Sequence, residues 1–306
     1  MKQDFLHITD FDAGTIYSVL DLAARLKADT RAGKEHPLLK GKTLAMIFQK
    51  PSARTRISFE TGMSQLGGHA LYLGPSDIGM GEREETKDVA RVVSRYNDLI
   101  MARVFGHITI IDLARWASVP VINGLSDYNH PCQVMADIFT IKEHRHNLDD
   151  LKVAYVGDGN NVANSWLNLS RRIPMTLTLA CPQGYDPDEK TLASARESGT
   201  SEIFLVRDPL EAVPGADVVY TDVWISMGQE SDTNRREKAF RSFQVTEELM
   251  SAAGDQARFM HCLPAHRGEE VTDAVLEGKD SIVFDQAENR LHVQKAITVI
   301  LAGSGD

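Results

Sequence analysis

Short apolar runs alternate along the chain with longer segments in which apolar residues recur every three or four positions. The run Leu44–Phe48 predicts a buried strand, and the spacing of Phe59, Met63 and Leu66 after it predicts a helix. The same alternation continues along the chain, which is typical of parallel α/β sheets. The predicted strands are 43–48, 70–73, 98–104, 119–122, 152–156, 177–180, 203–205, 217–220, 258–260 and 281–284. The predicted helices are 9–28, 52–66, 86–96, 108–117, one that begins near 161, and 286–302.

A charged stretch at 143–150 separates two cycles of this alternation. The 306 residues suffice for two domains of ordinary size, each with its own core. We therefore predict the α/β fold class, with two doubly wound parallel-sheet domains at residues 1–148 and 149–285. The last segment, 286–306, is predicted to contain a helix that packs back on the first domain.

The composition is that of a soluble globular protein, with 42% hydrophobic and 25% charged residues. No apolar run approaches the roughly 18 residues that span a bilayer, and the N-terminus lacks the apolar core of an export signal. The cysteines Cys132, Cys181 and Cys262 are few and odd in number, which indicates a reducing compartment. We predict a cytoplasmic protein with no membrane partner. The net charge of −10 disfavours nucleic acid as a partner.

Two hydroxyl-bearing residues and two arginines lie at Ser52–Arg56, between the first predicted strand and the helix that follows it. Ser52 is a good N-cap residue, and a helix N-terminus offers free N–H groups and a positive dipole end to an anion. Arginine guanidinium groups match phosphate oxygens in pairs. The segment therefore suits a phosphate, although an ordinary N-cap with solvated arginines has the same pattern.

The segment Gly157–Gly159 follows a predicted strand and resembles half of a dinucleotide-binding loop. The full glycine pattern is absent, because Val162 and Ala163 follow it. Leu179–Pro182 occupies the place where an acidic residue would bind the ribose. A nicotinamide-dependent dehydrogenase is therefore disfavoured. What remains is a crevice between strand and helix with Asn161 at its edge, where doubly wound sheets bind small ligands.

Two histidine–cysteine segments, 130–133 and 261–266, follow predicted strands. They contain the potential zinc ligands His130, Cys132, His261, Cys262 and His266. Neither segment has an established zinc-finger spacing, so we predict no metal. A Cys262–His261 thiolate pair is disfavoured, because adjacent residues of an extended segment point to opposite faces. Either segment alone is also compatible with a loop whose proline fixes a turn.

The segment 222–228 follows another predicted strand and begins with an acidic residue. The carboxylate of Asp222 suits an ammonium group, and backbone N–H groups of a turn at 226–228 suit a carboxylate. A free amino acid needs both. A flexible loop with a capping aspartate is the alternative.

Together these segments resemble the aspartate/ornithine carbamoyltransferase family, in the same order from about residue 1 to 302. Ser52–Arg56 is similar to its phosphate motif and His130–Gln133 to its H-P-x-Q motif, while 261–264 and 222–228 are similar to segments of its ornithine branch. The resemblance implies transfer of the carbamoyl group of carbamoyl phosphate to the δ-amine of L-ornithine, giving L-citrulline and phosphate in arginine biosynthesis. Aspartate, putrescine or an N-acylornithine is the alternative amine, and a non-catalytic binding paralogue is the alternative of another class.

The resemblance also implies the site residues. Carbamoyl phosphate would contact Ser52, Ala53, Arg54, Thr55, Arg103, His130, Gln133, Cys262, Leu263 and Arg290. Ornithine would contact Asn161, Asp222, Ser226 and Met227. Arg103, His130 and Cys262 would be catalytic, no metal or organic cofactor would be needed, and the assembly would be a homotrimer or a multiple of trimers.

Two positions depart from the family pattern. Ala53 stands where the motif often has threonine, which removes a hydroxyl but keeps the backbone N–H. Gly79 stands where many members have a glutamine that contacts carbamoyl phosphate. Arg83 or a residue of a neighbouring subunit is the candidate replacement.

Overall fold

The computed structural model describes residues 2–81, 83–225 and 233–303. Within them the chain divides after Phe139 and after Ala287. The first and last segments form one compact unit, called the first unit below, and Thr140–Ala287 forms the second unit. The predicted fold class is confirmed, because each unit contains one all-parallel sheet with helices between its strands.

The sheet of the first unit has four strands in the order β2-β1-β3-β4. They are β1 (Thr43–Phe48), β2 (His69–Leu73), β3 (Leu99–Arg103) and β4 (Val121–Leu125). In β1 the five residues after Thr43 are buried, as expected for an inner strand covered on both faces. Its register places Met46 opposite Tyr72 on one side and Met101 on the other.

The helices of the chain up to residue 145 are α1 (Ala13–Arg31), α2 (Ala53–Gln65), α3 (Pro75–Ile78), α4 (Thr86–Tyr96), α5 (His107–Trp116) and α6 (Pro131–Arg145). A short 3₁₀ turn, Ile8–Asp10, precedes them. Helices α4 and α5 bury apolar residues against the sheet; for example, Val89 and Val93 of α4 join Ile100 of β3 in the core.

The sheet of the second unit has five strands in the order β7-β6-β5-β8-β9. They are β5 (Lys152–Val156), β6 (Thr176–Ala180), β7 (Glu202–Val206), β8 (Val218–Thr221) and β9 (Arg258–His261). The remaining helices are α7 (Asn161–Ser170), α8 (Glu189–Glu197), α9 (Pro209–Ala212), α10 (Thr233–Phe240), α11 (Glu247–Ala253), α12 (Asp273–Leu276) and α13 (Val283–Leu301), with a 3₁₀ turn at Arg241–Phe243. The carboxyl ends of β5, β8 and β9 lie at one edge of this sheet, where open α/β sheets bind ligands.

The predicted strand at 281–284 is wrong. Ser281 forms an isolated bridge to Phe259, and α13 already begins at Val283. A short apolar run cannot distinguish a buried strand from the first turn of a buried helix, which explains the error. The strand predicted at 119–122 lies two residues later, at Val121–Leu125, although the carbonyl of Pro120 still accepts a hydrogen bond from the amide of Ile100.

Helix α6 was not predicted, and the interpretation of Pro131 as a turn-fixing loop residue is wrong. Pro131 is the first residue of α6. Proline is favoured at that position, because the first helical N–H has no partner within the helix. Among the described residues, no helix combines the length and the apolar character needed to cross a membrane.

Candidate active site

The N-terminus of α2 has the cap that the sequence predicts. Ser52 has an extended backbone, and its Oγ accepts a hydrogen bond of 3.4 Å from the amide of Thr55. The same Oγ donates to the Thr55 hydroxyl at 3.1 Å. Ala53 is the first residue of the helix, so its amide belongs to the group of N–H bonds that an anion can use.

The two arginines of this segment have different surroundings, although both are exposed. Arg56 Nε donates to Glu60 Oε2 at 3.0 Å, and its guanidinium lies 4.3 Å from the centre of the Tyr72 ring. No carboxylate of the described residues forms an ion pair with Arg54. Arg54 is therefore the arginine of this pair whose charge is left for a ligand.

His130, which directly precedes α6, is buried among cationic side chains of the first unit. Burial holds the pKa of His130 well below its usual range, and the charges of Arg290, Arg103, Lys50 and Arg54, in that order, lower it further. The imidazole is therefore neutral at physiological pH. Four cations converging on one point of a chain with a net charge of −10 form a local anion site.

Arg290 and Thr55 are held together by a hydrogen bond, although they are 235 positions apart in the sequence. Arg290 Nη2 on α13 donates to the Thr55 hydroxyl at 3.0 Å. Thr55 is completely buried and Arg290 is nearly so. This contact brings the last helix to the capped end of α2, so both ends of the chain contribute to the anion site.

Gln133 lies in the first turn of α6, and its side-chain NH₂ group is hydrogen-bonded within the protein. Its Nε2 donates to Asp137 Oδ1 at 2.8 Å. Its Oε1 is buried and has no hydrogen-bond partner among the described residues. A buried acceptor without a partner costs free energy, and a ligand N–H would remove that cost.

In the second unit, Asp222 lies directly after β8 and is buried. Its Oδ1 accepts a hydrogen bond from Cys262 Sγ at 2.9 Å, and its Oδ2 accepts one from Asn160 Nδ2 at 2.7 Å. Asn160 is also the N-cap of α7, and Asn161 is the first residue of that helix. Three ends of secondary structure therefore meet at this carboxylate. Because the Cys262 thiol donates to Asp222, the structure favours a thiol over a thiolate at Cys262.

His261 has its own partners, which confirms that no Cys262–His261 pair forms. The amide of Leu263 donates to His261 Nδ1 at 2.8 Å, so the ring proton is on Nε2. That proton points to Glu270 Oε1, 3.1 Å away and completely buried. Leu263 has a left-handed backbone with φ of 56°, a conformation that non-glycine residues rarely adopt.

Two clusters of the second unit have potential metal ligands. The ligand atoms of Asp222, His261 and Cys262 lie within 4.8 Å of one another, as do those of His266, Glu269 and Glu270. Both ring nitrogens of His261 are already hydrogen-bonded, so an ion in the first cluster would have to displace Leu263 or Glu270.

Cys132 does not lie in the zinc-ligand arrangement that the sequence allowed. It is completely buried in the first unit, and its Sγ donates to the carbonyl of Asn123 at 3.4 Å. Burial raises the pKa of this thiol to about 12. Cys132 is therefore a packing residue.

The loop after β2 contains the departure from the family pattern. Gly79 ends α3 in the left-handed conformation with φ of 55°, and a Cβ there would lie 2.9 Å from Arg83 Cβ. Arg83 Nη2 donates to the carbonyls of Asp77 and Ile78 at 2.9 and 3.3 Å. The guanidinium thus fixes its own loop. Ser226 and Met227, and the turn at 226–228, lie outside the described residues.

Sequence reasoning missed two residues of these clusters. Lys50 precedes Pro51 and contributes charge near His130; burial lowers its pKa first, and the charge of Arg103 lowers it next, against the effect of Asp127. Asn160 was passed over in favour of its neighbour Asn161. Its position before a predicted helix is the usual signal of an N-cap and could have identified it.

The first unit thus has four cationic side chains around His130, and the second has a buried carboxylate at Asp222. These features suit an enzyme of the class that transfers a group from an activated phosphate to an amine. Two family models match the chain in succession: the carbamoyl-P binding domain of aspartate/ornithine carbamoyltransferase at residues 3–143 and its Asp/Orn binding domain at 149–301. The chain belongs to the aspartate/ornithine carbamoyltransferase family.

Relatives from distant organisms share most of the sequence length. The chain is 59% identical to the chloroplastic ornithine carbamoyltransferase of Pisum sativum, covering 98% of this chain and 80% of the relative. It is 53% identical to the ornithine carbamoyltransferase of Syntrophus aciditrophicus, covering 98% and 100%. The solved structure of ornithine carbamoyltransferase from Pyrococcus furiosus matches with a TM-score of 0.95 at 51% identity, covering 100% of this chain and 98% of that one.

Proposed function

We propose that this chain transfers the carbamoyl group of carbamoyl phosphate to the δ-amine of L-ornithine, giving L-citrulline and phosphate for arginine biosynthesis. The observation that carries the proposal is the neutral, buried His130 inside a group of four cations, next to the capped end of α2. This arrangement suits a doubly charged phosphate with a polar carbonyl attached. Relatives that share half or more of the sequence are named for the same reaction.

Carbamoyl phosphate is assigned to the domain at 1–148 together with the helix in 286–306, and ornithine to the domain at 149–285. Ser52, the amide of Ala53, Arg54 and Thr55 bind the phosphate. Arg103, His130 and Arg290 surround the carbonyl. Gln133 Oε1, which has no hydrogen-bond partner among the described residues, accepts a hydrogen bond from the carbamoyl NH₂ group.

The reaction forms a bond from the amine nitrogen to the carbonyl carbon and breaks the bond from that carbon to the phosphate oxygen. The nitrogen loses one proton, and the leaving phosphate takes it up. Negative charge builds on the carbonyl oxygen during attack. Arg103, the neutral imidazole of His130 and the Thr55 hydroxyl supply the donors. One preorganised donor of this kind typically lowers the barrier by ~3 kcal/mol. Arg54, Ser52 and the helix N-terminus stabilise the charge that the leaving phosphate gains.

The ornithine end of the site is built on Asp222. Its buried carboxylate is held by Asn160 and by the Cys262 thiol, and a carboxylate in that position pairs with the α-ammonium group of an amino acid. The Cys262 thiol donates to Asp222 and orients it, while its sulfur accepts a hydrogen bond from an N–H of the incoming amine. The attacking δ-amine must be neutral. Asn161, Ser226 and Met227 are assigned to the same substrate by family resemblance.

We assign the chain to a homotrimer, or a multiple of trimers, in the cytoplasm. The family resemblance supports the trimer, and the three free cysteines of the described residues fit a reducing compartment. Light scattering of the purified protein tests the assembly. A monomer at micromolar concentration would contradict it.

The test of the reaction is a citrulline assay with carbamoyl phosphate and a panel of amines: ornithine, N-acetylornithine, putrescine, aspartate and lysine. We expect carbamoylation of ornithine with a kcat/KM at least about 10²-fold above that of N-acetylornithine and putrescine, because these amines lack the free α-ammonium group and leave the charge of Asp222 without a cation. Lysine has the α-ammonium group but is one methylene longer, and aspartate has no second amine, so we expect both to be poorer substrates than ornithine. A higher rate with an acylated or non-amino-acid amine would overturn the assignment of the substrate. Failure to consume carbamoyl phosphate with every amine would overturn the reaction itself.

A further inference from the structure

A closed ring of hydrogen bonds in the first unit includes Asn129, the residue before His130. The orientation of the Asn129 side-chain amide is determined by its other contacts. Asn129 Nδ2 donates to the carbonyl of Leu6 at 3.2 Å, and Asn129 Oδ1 accepts from Asn123 Nδ2 at 2.6 Å. The backbone carbonyl can only accept, so these contacts fix which end of the Asn129 amide carries the hydrogens. The same Nδ2 lies 2.9 Å from His7 Nδ1.

The orientation of Asn129 determines the tautomers of two histidines. His7 Nδ1 accepts from Asn129, so the proton of neutral His7 is on Nε2. That proton faces His107 Nε2 at 3.0 Å, which must therefore accept, and this places the proton of His107 on Nδ1. His107 Nδ1 in turn donates to Ser126 Oγ at 2.8 Å. Ser126 Oγ lies 3.4 Å from the carbonyl of Asn129 and donates to it, which closes the ring.

The ring ties a loop to two other parts of the first unit. Ser126 and Asn129 belong to the loop between β4 and α6, and His130 is the next residue. His7 comes from the N-terminal segment, and His107 is the first residue of α5. The amide of Ser126 also donates to the carbonyl of Asn129 at 3.0 Å, so the loop is closed from both sides.

Two aspartates and a tyrosine of the described residues lie around the two histidines. The amide of His107 donates to Asp127 Oδ1 at 2.8 Å, and the amide of His7 donates to Asp10 Oδ2 at 2.8 Å. The Tyr128 ring lies 5.6 Å from the His7 ring and 5.1 Å from the His107 ring. Burial first, and then a charge on His7, lower the pKa of His107 to about 4, against the opposite effect of Asp127.

We propose that His7 and His107 are positioning residues for His130, which hold its loop in place through this neutral ring. The inference rests on the proposed function, since the role of His130 is to donate to the carbonyl of carbamoyl phosphate. Neither histidine is assigned a contact with substrate. A displacement of about 1 Å at a reacting group can cost 10²-fold in rate, so loosening the loop that precedes His130 lowers turnover.

The ring requires both histidines to be neutral. A proton added to His107 Nε2 would face the N–H of His7, and a proton added to His7 Nδ1 would face the NH₂ group of Asn129, so either one removes a contact of the ring. Because folding lowers the pKa of His107 from its usual 6.5 to about 4, the neutral form is favoured in the folded protein. The contribution of neutral His107 to stability is therefore complete above about pH 6.5 and is lost as the pH falls from there through about 4.

Substitutions of His107 test the positioning role. In His107→Gln the side-chain oxygen can accept from His7 and the NH₂ group can donate to Ser126, while His107→Leu can do neither. We expect the leucine variant to lose about tenfold in kcat, with the KM for ornithine within about twofold of wild type, and the glutamine variant to retain kcat within about threefold. The exposed His69 serves as the control, and His69→Gln should leave kcat unchanged.

Equal kcat values for wild type, His107→Leu and His107→Gln would overturn the positioning role. If the leucine variant does not fold, Ser126→Ala replaces it, since that change removes the acceptor of the His107 proton and leaves both rings in place. The alanine variant should then show the tenfold loss, and wild-type kcat in it would overturn the role equally.

Nuclear magnetic resonance tests the ring without reference to activity. Long-range ¹⁵N–¹H spectra of the uniformly labelled protein at pH 7.5, assigned with His7→Asn and His107→Gln, should show His7 protonated at Nε2 and His107 at Nδ1. Protonation of His107 at Nε2 would overturn the ring. If the tautomers are as stated but the wild-type protein carbamoylates no amine, the proposed function is wrong and the hydrogen-bonded ring is still correct. If the wild-type protein carbamoylates ornithine and His107→Leu has the same kcat, only the positioning role is wrong.

Discussion

Replacing Arg54 with alanine should lower activity at the proposed phosphate site without lowering the stability of the fold. Arg54 is exposed in the first turn of α2, and no carboxylate of the described residues pairs with it. The change therefore removes no native ion pair, and alanine is a better helix former than arginine. We expect the free energy of unfolding to stay within about 0.5 kcal/mol of wild type.

The expected loss of function is much larger than this change in stability. A guanidinium donates two charge-assisted hydrogen bonds to a phosphate, each worth about 1.5 to 3 kcal/mol. Because Arg54 is exposed in the free protein, we take the low end of that range, about 3 kcal/mol for the two bonds together. At 1.4 kcal/mol per factor of ten, this predicts a fall of roughly 10²-fold in kcat/KM for carbamoyl phosphate.

The matched control is Arg56→Ala, two positions further along the same helix. It removes the same charge from an equally exposed position, but the Arg56 guanidinium contacts Glu60 and the Tyr72 ring. This variant should lose a few tenths of a kcal/mol in stability and less than about threefold in kcat/KM. Comparing the two variants in the citrulline assay removes the general effect of one lost positive charge.

The reasoning about Arg54 fails if the two variants lose similar activity, because the effect is then one of net charge. It also fails if Arg54→Ala retains kcat/KM within about threefold of wild type. A large drop in the thermal midpoint of Arg54→Ala would show that the side chain has a structural role.

Three further predictions concern the second unit and the buried lysine of α13. Asp222→Asn should raise the KM for ornithine far more than that for carbamoyl phosphate, and equal losses in steady-state kinetics would mean a structural role. Arg236→Met leaves Asp158 buried without its ion-pair partner and should cost about 3 to 5 kcal/mol in urea unfolding at pH 8. Burial already raises the Asp158 pKa to about 6, so this loss should shrink as the pH falls below 6; a constant loss would contradict it. Burial lowers the Lys295 pKa from 10.5 to about 8, so wild-type stability should gain a contribution between pH 8 and 10.5 that Lys295→Met abolishes, and identical pH profiles would refute this.

The helix cap of the proposed anion site was predictable because its signals are local. A serine before a helix is a cap wherever the helix begins, and Ser52 is one. The arginines adjacent to it follow from the sequence directly. Lys50 was missed, since its contribution depends on its distance from His130 in space, which no spacing along the chain reveals.

The errors at 281–284 and at α6 have a common cause in local ambiguity. Apolar residues at 282–284 fit a strand and a buried helix equally well, and only the packing of α13 decides between them. At Pro131 we considered only a turn, although proline is equally typical of the first position of a helix, and the helix forms. The ring of His7 and His107 was beyond sequence reasoning, because it joins His7 to residues 100 and 122 positions further along the chain.

The hydrogen bond between Arg290 and Thr55 has a consequence for the order of folding during synthesis. The second unit is one continuous segment, Thr140–Ala287, whereas the first unit needs residues from both ends of the chain. A ribosome therefore releases every residue of the second unit before it has released the last helix of the first. Domains fold as units when their residues become available. The second unit, which comes from the middle of the sequence, is therefore the first that can fold completely. A nascent chain halted before α13 would have the whole four-stranded sheet and the cap at Ser52, yet it would lack the arginine that holds Thr55.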